Sequence, residues 1–330
     1  MTKILITGVG GGVGQSIIKA LQATPYELVG VDSEKYAVGL HSLSKAYLGR
    51  YANDPSYIDR LIEICEKEEC RLIFPGHDVE LKHLSENINL FAERGIIPIV
   101  STPEVIRLCD DKMETNIFLR SQGLPAPETF IYKDKRRDIH FPVVMKPQKG
   151  GARARNVFTA FNQKEYDAYK QLIDPDNCII QEFIKGDEYT CGSVTLDGDC
   201  KGVIVMRRIL RDGDTYKAFV DMNDELERFV SKLIAQLNPF GACNVQLRVQ
   251  NGIPYVFEIN ARCSGTTAAR SLAGFNEPRM IADYVLAGIK PEYSIRSVSI
   301  FRYWNELVVE NNKIDALEKN GYLHSSQRKL

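Results

Sequence analysis

Residues 244–262 read NVQLRVQNGIPYVFEINAR, two runs of strand length joined by Asn251-Gly252, a dipeptide that accepts the positive φ angles of a tight hairpin. On the second run Glu258 and Asn260 stand two residues apart, so both project from one face, while Val256, Phe257 and Ile259 mark the strand as buried. Gln246 sits on the first run. A carboxylate and carboxamides on one strand face are oxygen donors suited to Mg, a hard cation that shares its coordination with phosphates. Gln246, Glu258 and Asn260 are therefore read as the metal-associated set, with Mn as a substitute ion. Arg262, two residues further on, can meet a phosphoryl group in transfer. A solvent-exposed polar strand end would not need apolar residues between such evenly spaced polar ones.

Upstream, PVVMKP (142–147) sets Lys146 at the end of an apolar strand, just before KGGARARN. A lysine there can ligate phosphates while the backbone N–H groups of Gly150 and Gly151 fold over the terminal one. Next comes CIIQEFIKGDEY (178–189). Its apolar run into Glu182, Phe183 and Ile184 can offer backbone groups to a purine edge, and Glu188 can reach ribose hydroxyls. Alone, Glu188 is equally a solvated hairpin carboxylate.

The amino-terminal run KILITGVGGGVG reads as strand, glycine-rich turn and helix, and superficially meets the dinucleotide fingerprint, with Asp32 at the end of a second strand as the ribose partner. The more specific signals lie downstream. Strands at 71–74 and 96–100 alternate with helices at 57–68 and 79–94, the pattern of a parallel doubly wound sheet. Thr102 and Pro103 start a helix that breaks near Asp110 and restarts through Lys112 to Gln122. Beyond about residue 125 short strands dominate, interrupted by helices at 163–173 and 223–237. The last helices fall at 266–273, 277–287 and near 313–319, with a strand around 297–303.

Composition agrees with a folded enzyme. The 330 residues are 44% hydrophobic and 26% charged, and 42 Lys plus Arg nearly cancel 43 Asp plus Glu, so no net field draws the molecule to nucleic acid or an anionic membrane. The apolar stretches are strand-sized and too short to cross a bilayer, and Met1–Gly8 reads as a strand, so cytoplasmic residence is expected. Eight cysteines include no CxxC pair and no histidine at ligand spacing, which predicts buried reduced thiols without zinc or disulfides.

Taken together, ITGVGGGVGQS, DDKMETNIFLRSQGLPAPET, PVVMKP with its loop, QEFIKGDEYT and FEINARCSGTTAARSLAG resemble the ATP-grasp superfamily, specifically its carbamoyl-phosphate-synthase-like carboxylate-amine ligases, over roughly residues 1–290. The resemblance implies an α/β plus α+β fold: a Rossmann-like pre-ATP-grasp domain at 1–110, a small lid subdomain at 111–185, and at 186–330 a large subdomain with the metal site and a short C-terminal extension. It makes Lys112 and Lys146 phosphate ligands, Glu182 to Ile184 the adenine hinge and Glu188 the ribose acceptor. Gln246, Glu258 and Asn260 become Mg ligands with Asn244 beside them, and Arg262 lies on the γ-phosphate. It also allows a homodimer. The loop departs from the family pattern: Ala152, Arg153, Ala154, Arg155 and Asn156 stand where a Ser followed by a Gly is common.

The function so implied is ATP- and Mg-dependent ligation of a small carboxylate to an amine through an acyl phosphate. The alternative is a carbamoyl-phosphate-synthase-like kinase acting on bicarbonate or carbamate. An NAD oxidoreductase and a non-catalytic nucleotide-binding module compete less well, the latter because Glu258 and Asn260 are both present. Catalytic roles fall to Arg262, Lys146 and Arg208. Among Arg207, Arg208, Arg211 and Lys217, strand alternation puts Arg207 opposite Arg208, and Arg208 is read as the partner of the substrate carboxylate. His77, Asp78 and Glu80 are candidates for holding an amine or for capping the helix that follows. The Ser264–Thr267 turn can cap a helix or bind an anion.

Overall fold

The computed structural model describes residues 2–134, 138–151, 155–326 and 330. Three sheets organise it. The first runs in the order β16-β3-β2-β1-β4-β5, from β1 (Lys3–Thr7), β2 (Glu27–Asp32), β3 (Lys45–Leu48), β4 (Cys70–Phe74), β5 (Ile97–Pro98) and β16 (Tyr322–His324). β1 to β5 are parallel, and β16 joins the β3 edge antiparallel. Around them lie α1 (Gly12–Leu21), α2 (Val38–Ser42), α3 (Tyr57–Glu68), α4 (Asp78–Glu86), α5 (Ile88–Ala92) and α6 (Pro103–Asp110). β1 is buried on both faces: Ile4 and Ile6 pack with Ile17, Ile18 and Leu21 of α1, Leu5 with Leu61 and Ile64 of α3.

The second unit has the sheet β6-β9-β7-β8, formed by β6 (Thr129–Ile131), β7 (Val143–Pro147), β8 (Phe158–Ala160) and β9 (Cys178–Glu182), with α7 (Lys112–Ser121) and α8 (Gln163–Tyr169). Phe130, Val143, Met145, Ala160, Tyr166, Cys178 and Ile180 form its own small core. The third sheet, β14-β13-β10-β11-β12-β15, is built from β10 (Asp187–Leu196), β11 (Asp199–Arg211), β12 (Asp214–Val220), β13 (Gly241–Gln250), β14 (Ile253–Asn260) and β15 (Ser299–Phe301). α9 (Asp224–Leu237), α10 (Thr267–Leu272) and α11 (Glu277–Ala287) pack on it, and α12 (Asn311–Asn320) carries the chain back to β16.

The structure departs from the expected elements in four places, two of them α2 and β3, which local patterning did not announce. The predicted 79–94 helix is divided at Asn87 into α4 and α5. The chain's end does not stay with the 186–330 unit, because β16 hydrogen-bonds to β3 of the first sheet. Nothing in the sequence of three strand residues announces a partner nearly 280 positions away.

Beneath the third sheet lies a sealed ion pair. Arg270 and Glu277 are both fully buried and bonded at 2.7 Å, and Arg270 also donates to Thr190 Oγ1 at 3.0 Å and to Asn244 Oδ1. Thr267 Oγ1 donates to Glu277 Oε2 at 2.8 Å. A Cβ at Gly192 would stand 2.4 Å from Glu277 Oε1 and 2.5 Å from Arg270 Nη1, so only glycine fits above the pair. Removing one partner strands the other charge away from water. Arg270→Ala should therefore lower unfolding stability by about 3–5 kcal/mol, read as a fall in the urea midpoint; an unchanged midpoint would refute that role.

Candidate active site

Asp111 positions the first functional lysine. Its carboxylate caps α7 by accepting from Met113 N and Glu114 N, and it accepts from Gln148 Nε2 at 2.9 and 3.0 Å, tying the helix start to the end of β7. Lys112 follows at once, buried, with Nζ donating to Gly150 O at 2.7 Å. On β7, Lys146 is also buried, its Nζ 3.2 Å from Phe257 O and 5.4 Å from the Phe257 ring. That carbonyl is available because the β13–β14 register shifts after Gln246, leaving Phe257 as an extra residue between the pairs Gln246/Glu258 and Leu247/Val256.

Neither lysine has a carboxylate within 4.0 Å among the described residues. Burial, with the like charge of Lys112, lowers the Lys146 ammonium from its ordinary value to about 7, against the opposing pull of Glu258 and Glu188. Two desolvated, mutually repelling ammonium groups with no counter-ion make a site for a multiply charged anion.

A continuous polar ribbon crosses the sheet beneath them. Glu188 lies opposite Arg248 on β13, and the β10–β11 register sets it opposite Arg208. Its Oε1 accepts from Arg208 Nε and Nη2 at 2.9 and 2.7 Å, and its Oε2 from Arg248 Nε and Nη2 at 3.1 and 2.7 Å. Arg208 Nη2 also donates to Gln246 Oε1 at 2.6 Å, and Gln246 Nε2 donates to Glu258 Oε1 at 3.2 Å. Asn260 Nδ2 donates to the same oxygen at 3.0 Å, and Arg262 Nη2 to Asn260 Oδ1 at 3.2 Å. The ribbon ends in the first domain, where Arg262 grips Asp78 bidentately at 2.6 and 2.7 Å. Burial acts to raise the Asp78 carboxyl, yet the Arg262 guanidinium overcomes it and holds Asp78 below the usual range.

Glu258 and Asn260 share a face as their spacing predicts, and the bulge at Phe257 brings Gln246 opposite Glu258. Glu258 Oε2 accepts no hydrogen bond among the described residues, which leaves one carboxylate oxygen open in a group whose charge is felt at Lys146. The amide oxygens of Gln246 and Asn260 accept from Arg208 and Arg262, so of this set Glu258 Oε2 is the oxygen open to Mg, an ion that keeps much of its coordination for water and phosphate.

At the hinge, Glu182 N donates to Glu128 O at 2.8 Å and Phe183 N to Pro142 O at 3.2 Å, while Ile184 O accepts from Arg248 Nη1 at 3.2 Å. The buried Ile184 N–H donates to nothing among the described residues, the opening a heterocyclic acceptor would fill. Arg248 stacks 5.0 Å over Phe183. This arginine escaped the sequence reading, although Asn244, Gln246 and Arg248 share a face by simple alternation. Gly150 and Gly151 adopt φ of +66° and +86°, conformations that glycine takes without strain. Arg153 lies outside the described residues, and Arg155 is exposed.

Other candidates stand elsewhere than expected. Arg208 is not free for a substrate, since Glu188 and Gln246 occupy it inside the nucleotide-facing ribbon. For the same reason Glu188 presents no unengaged oxygen, and a ribose would have to share it with the two arginines. Arg207 points to the opposite face as alternation requires, 4.6 Å over the Phe219 ring, and Arg211 is exposed beside Tyr216. Asn244 serves the buried Arg270 rather than a metal. Glu80 is fully enclosed, accepting from Thr7 Oγ1, Gly76 N, His77 N and Tyr57 Oη, and burial pushes its carboxyl upward. It locks the 75–80 turn and is not available to bind an amine. Asp32 Oδ2 is taken by Gly10 N at 2.8 Å, so it holds the glycine-rich turn and not a ribose. The Ser264–Thr267 turn closes on itself without a side-chain cap on α10, with Ser264 N donating to Thr267 Oγ1 at 3.0 Å and Thr266 N to Ser264 Oγ at 3.1 Å.

The ATP-grasp domain family matches residues 109–266, the stretch that carries the lysine pair and the ribbon up to Arg262, and the PylC-like N-terminal domain family matches residues 4–99. The chain belongs to the ATP-grasp superfamily. D-alanine-D-alanine ligase A of Clostridium perfringens is 28% identical over 160 residues, 43% of this chain and 52% of that protein. The carbamoyl phosphate synthase large chain of Neisseria meningitidis serogroup A is 24% identical over 203 residues, 54% of this chain and 18% of that one. This ATP-grasp chain thus spans about half the length of the D-alanine ligases it matches. N5-carboxyaminoimidazole synthetase from Staphylococcus aureus, solved with ADP, superposes with a TM-score of 0.74 at 16% identity, covering 97% of this chain and 85% of that one. At that identity the likeness shows a shared mixed α/β ATP-grasp fold.

The lysine pair makes anion binding pH-dependent. A phosphate ligand favours the charged ammonium, so above pH 7 binding must take up a proton at Lys146, and affinity falls as pH rises. The fall approaches about tenfold per pH unit until the pKa of the bound state is passed. Pyrophosphate titrations from pH 6.5 to 9, in buffers of different ionisation enthalpy, should register this uptake. Lys146→Arg should suppress it while retaining binding; identical proton uptake in that variant would assign the effect to the ligand alone.

Proposed function

We propose that this chain is an ATP- and Mg-dependent carboxylate-amine ligase that acts through an acyl phosphate. The observation that carries the reading is the buried pair Lys112 and Lys146, neither with a carboxylate within 4.0 Å among the described residues, together with the open oxygen of Glu258, whose charge is felt at Lys146. ATP fits what surrounds it. The unpartnered Ile184 N–H and the Glu182 to Ile184 backbone receive the adenine edge, and Glu188 shares an oxygen with the ribose. Lys112, Lys146 and the N–H groups of Gly150 and Gly151 hold the phosphates. Glu258 with Asn260 and Gln246 would hold Mg, which when bound neutralises charge on the transferring phosphoryl group. Mn can serve in the same donor set.

The chain's own residues need supply no nucleophile. A substrate carboxylate oxygen attacks the terminal phosphorus and ADP leaves. An amine then attacks the acyl carbon, loses a proton and expels phosphate. Lys146 and Arg262 offset the developing negative charge, and Arg208 keeps Gln246 and Glu188 in place. Exclusion of water protects the acyl phosphate, and the 148–151 segment lies where a cover is needed. The three-sheet arrangement supports a Rossmann-like pre-ATP-grasp domain followed by two subdomains that clasp the nucleotide. The partners are small acids and amines, in a chain that can form a homodimer. No helix among the described residues is long and apolar enough to cross a membrane. All eight cysteines are unpaired, which agrees with a reducing cytoplasm.

The test is ADP release over a matrix of acids and amines, with product masses recorded. Glu258→Ala should reduce turnover at least about a hundredfold while leaving the fold and thermal midpoint near the parent's, because it removes the anionic metal ligand from a preformed strand. Retained Mg-dependent turnover would sink the metal assignment. ADP release driven by bicarbonate without any amine would instead identify the kinase alternative.

A further inference from the structure

Among the described residues the third sheet ends at β15, with no strand paired on its outer side. β15 pairs with β12 in the register Lys217/Phe301, Ala218/Ile300 and Phe219/Ser299. The flanking bonds, Arg302 N to Tyr216 O and Val220 N to Val298 O, both at 3.0 Å, show which residues face β12. Even-numbered residues from 298 to 302 turn their backbone groups towards β12, so odd-numbered ones present N–H and C=O outward. The chain then continues through 302–310, RYWNELVVE, in no regular element. Its aromatic and β-branched residues have high strand propensity. Phe301, Tyr303 and Trp304 are 62%, 86% and 92% exposed. An open edge beside a run of exposed aromatic residues is a pairing surface that a soluble monomer would normally blunt.

We propose that this edge joins two copies of the chain, residues 299–309 of each pairing antiparallel about a two-fold axis at Trp304. An antiparallel pair of identical strands is self-complementary, as a two-fold interface requires. The residue pattern selects the axis. With Trp304 at the centre, Arg302 lies opposite Glu306, Tyr303 opposite Asn305, and Phe301 opposite Leu307, so the segment is complementary to itself: opposite charges meet, and apolar meets apolar. Moving the axis to Tyr303 would set Glu306 against Ile300 and Arg302 against Trp304.

Backbone parity agrees with the Trp304 axis. Odd-numbered residues meet odd-numbered ones as hydrogen-bonded pairs. Arg302/Glu306 and Trp304/Trp304 fall at non-hydrogen-bonded pairs, where side chains approach most closely. Arg302 keeps its backbone position through Nη1, which donates to Thr215 O at 3.0 Å, and has other N–H groups for Glu306.

The size is adequate. Three mostly exposed aromatic side chains supply on the order of 450 Å² per copy, over half of the roughly 800 Å² per partner of a standard interface. Tyr216 and Leu210 on the adjacent hairpin add to it. The proposal names a surface for the homodimer and does not rest on the ligase reading, so its test needs no substrate.

Trp304 is the protein's single tryptophan and reports on the axis directly. Sedimentation equilibrium of the full chain should show a monomer-dimer equilibrium, and Trp emission should move to shorter wavelength as dimer forms. Glu306→Arg, which sets arginines against each other twice, should raise the dissociation constant at least about tenfold. The double variant Arg302→Glu with Glu306→Arg should return it to within a few-fold of the parent. Trp304→Cys should yield a disulfide-linked dimer on mild oxidation, and Lys82→Cys, an exposed control, should not. A monomer at all concentrations would overturn the proposal. So would a dimer indifferent to Glu306→Arg, or Trp emission that does not respond to association. Failure of the double variant to recover, with native circular dichroism, would overturn the register.

Discussion

Two buried lysines, neither with a carboxylate within 4.0 Å among the described residues, constrain what surrounds them. Lys112 and Lys146 come from different elements, one at the first turn of α7 and one at the end of β7, and like charges in a desolvated place repel. Their positions are kept by neutral oxygens, Gly150 O and Phe257 O. The first comes from a glycine at positive φ, the second from a bulge in β14. Asp111 supplies the remaining anchor by capping α7 and binding Gln148 at once. Such an arrangement stores unfavourable energy that an anionic ligand relieves, and the depressed Lys146 ammonium is its electrostatic signature.

The polar ribbon from Arg248 to Asp78 is the second half of the same design. Arginines and carboxylates recur along it with amides between, so Glu188 is shared by two arginines and Asp78 is gripped by Arg262. A half-satisfied buried network would be worse than an apolar one. Because Arg262 follows the end of β14 and Asp78 begins α4 of the first unit, the ribbon also fixes the two large units to each other at the site. The large apolar cores agree, since residues of both units pack in common clusters. The four-stranded unit has a core of its own and touches the site through Lys146, the hinge and the glycine turn.

Most of the fold is legible in the residues alone, and for a local reason. Strand, turn and helix signals act over a few positions, so β1, the Asn251-Gly252 hairpin, the break between α6 and α7, and the Glu258/Asn260 face all follow from periodicity and turn chemistry. The convergence of Gln246 with Glu258 is not among them: the unshifted hairpin register would set Gln246 opposite Phe257, and only the bulge in β14 brings it to Glu258. Lys146 on a buried strand end was equally readable, because a charge beneath an apolar run needs a purpose.

What only the tertiary structure decided depends on who meets whom. Arg208, Glu188 and Arg248 come from three strands, and no local pattern states that one carboxylate occupies both arginines. Arg262 meets Asp78 across 184 residues, and Glu80 disappears into a knot of donors from β1, α3 and its own turn. The return of β16 to the first sheet is likewise a matter of packing. Sequence spacing reports the direction in which a side chain points. Its partner, and therefore its charge state and its freedom to bind, is set by distances that close only when the sheets assemble.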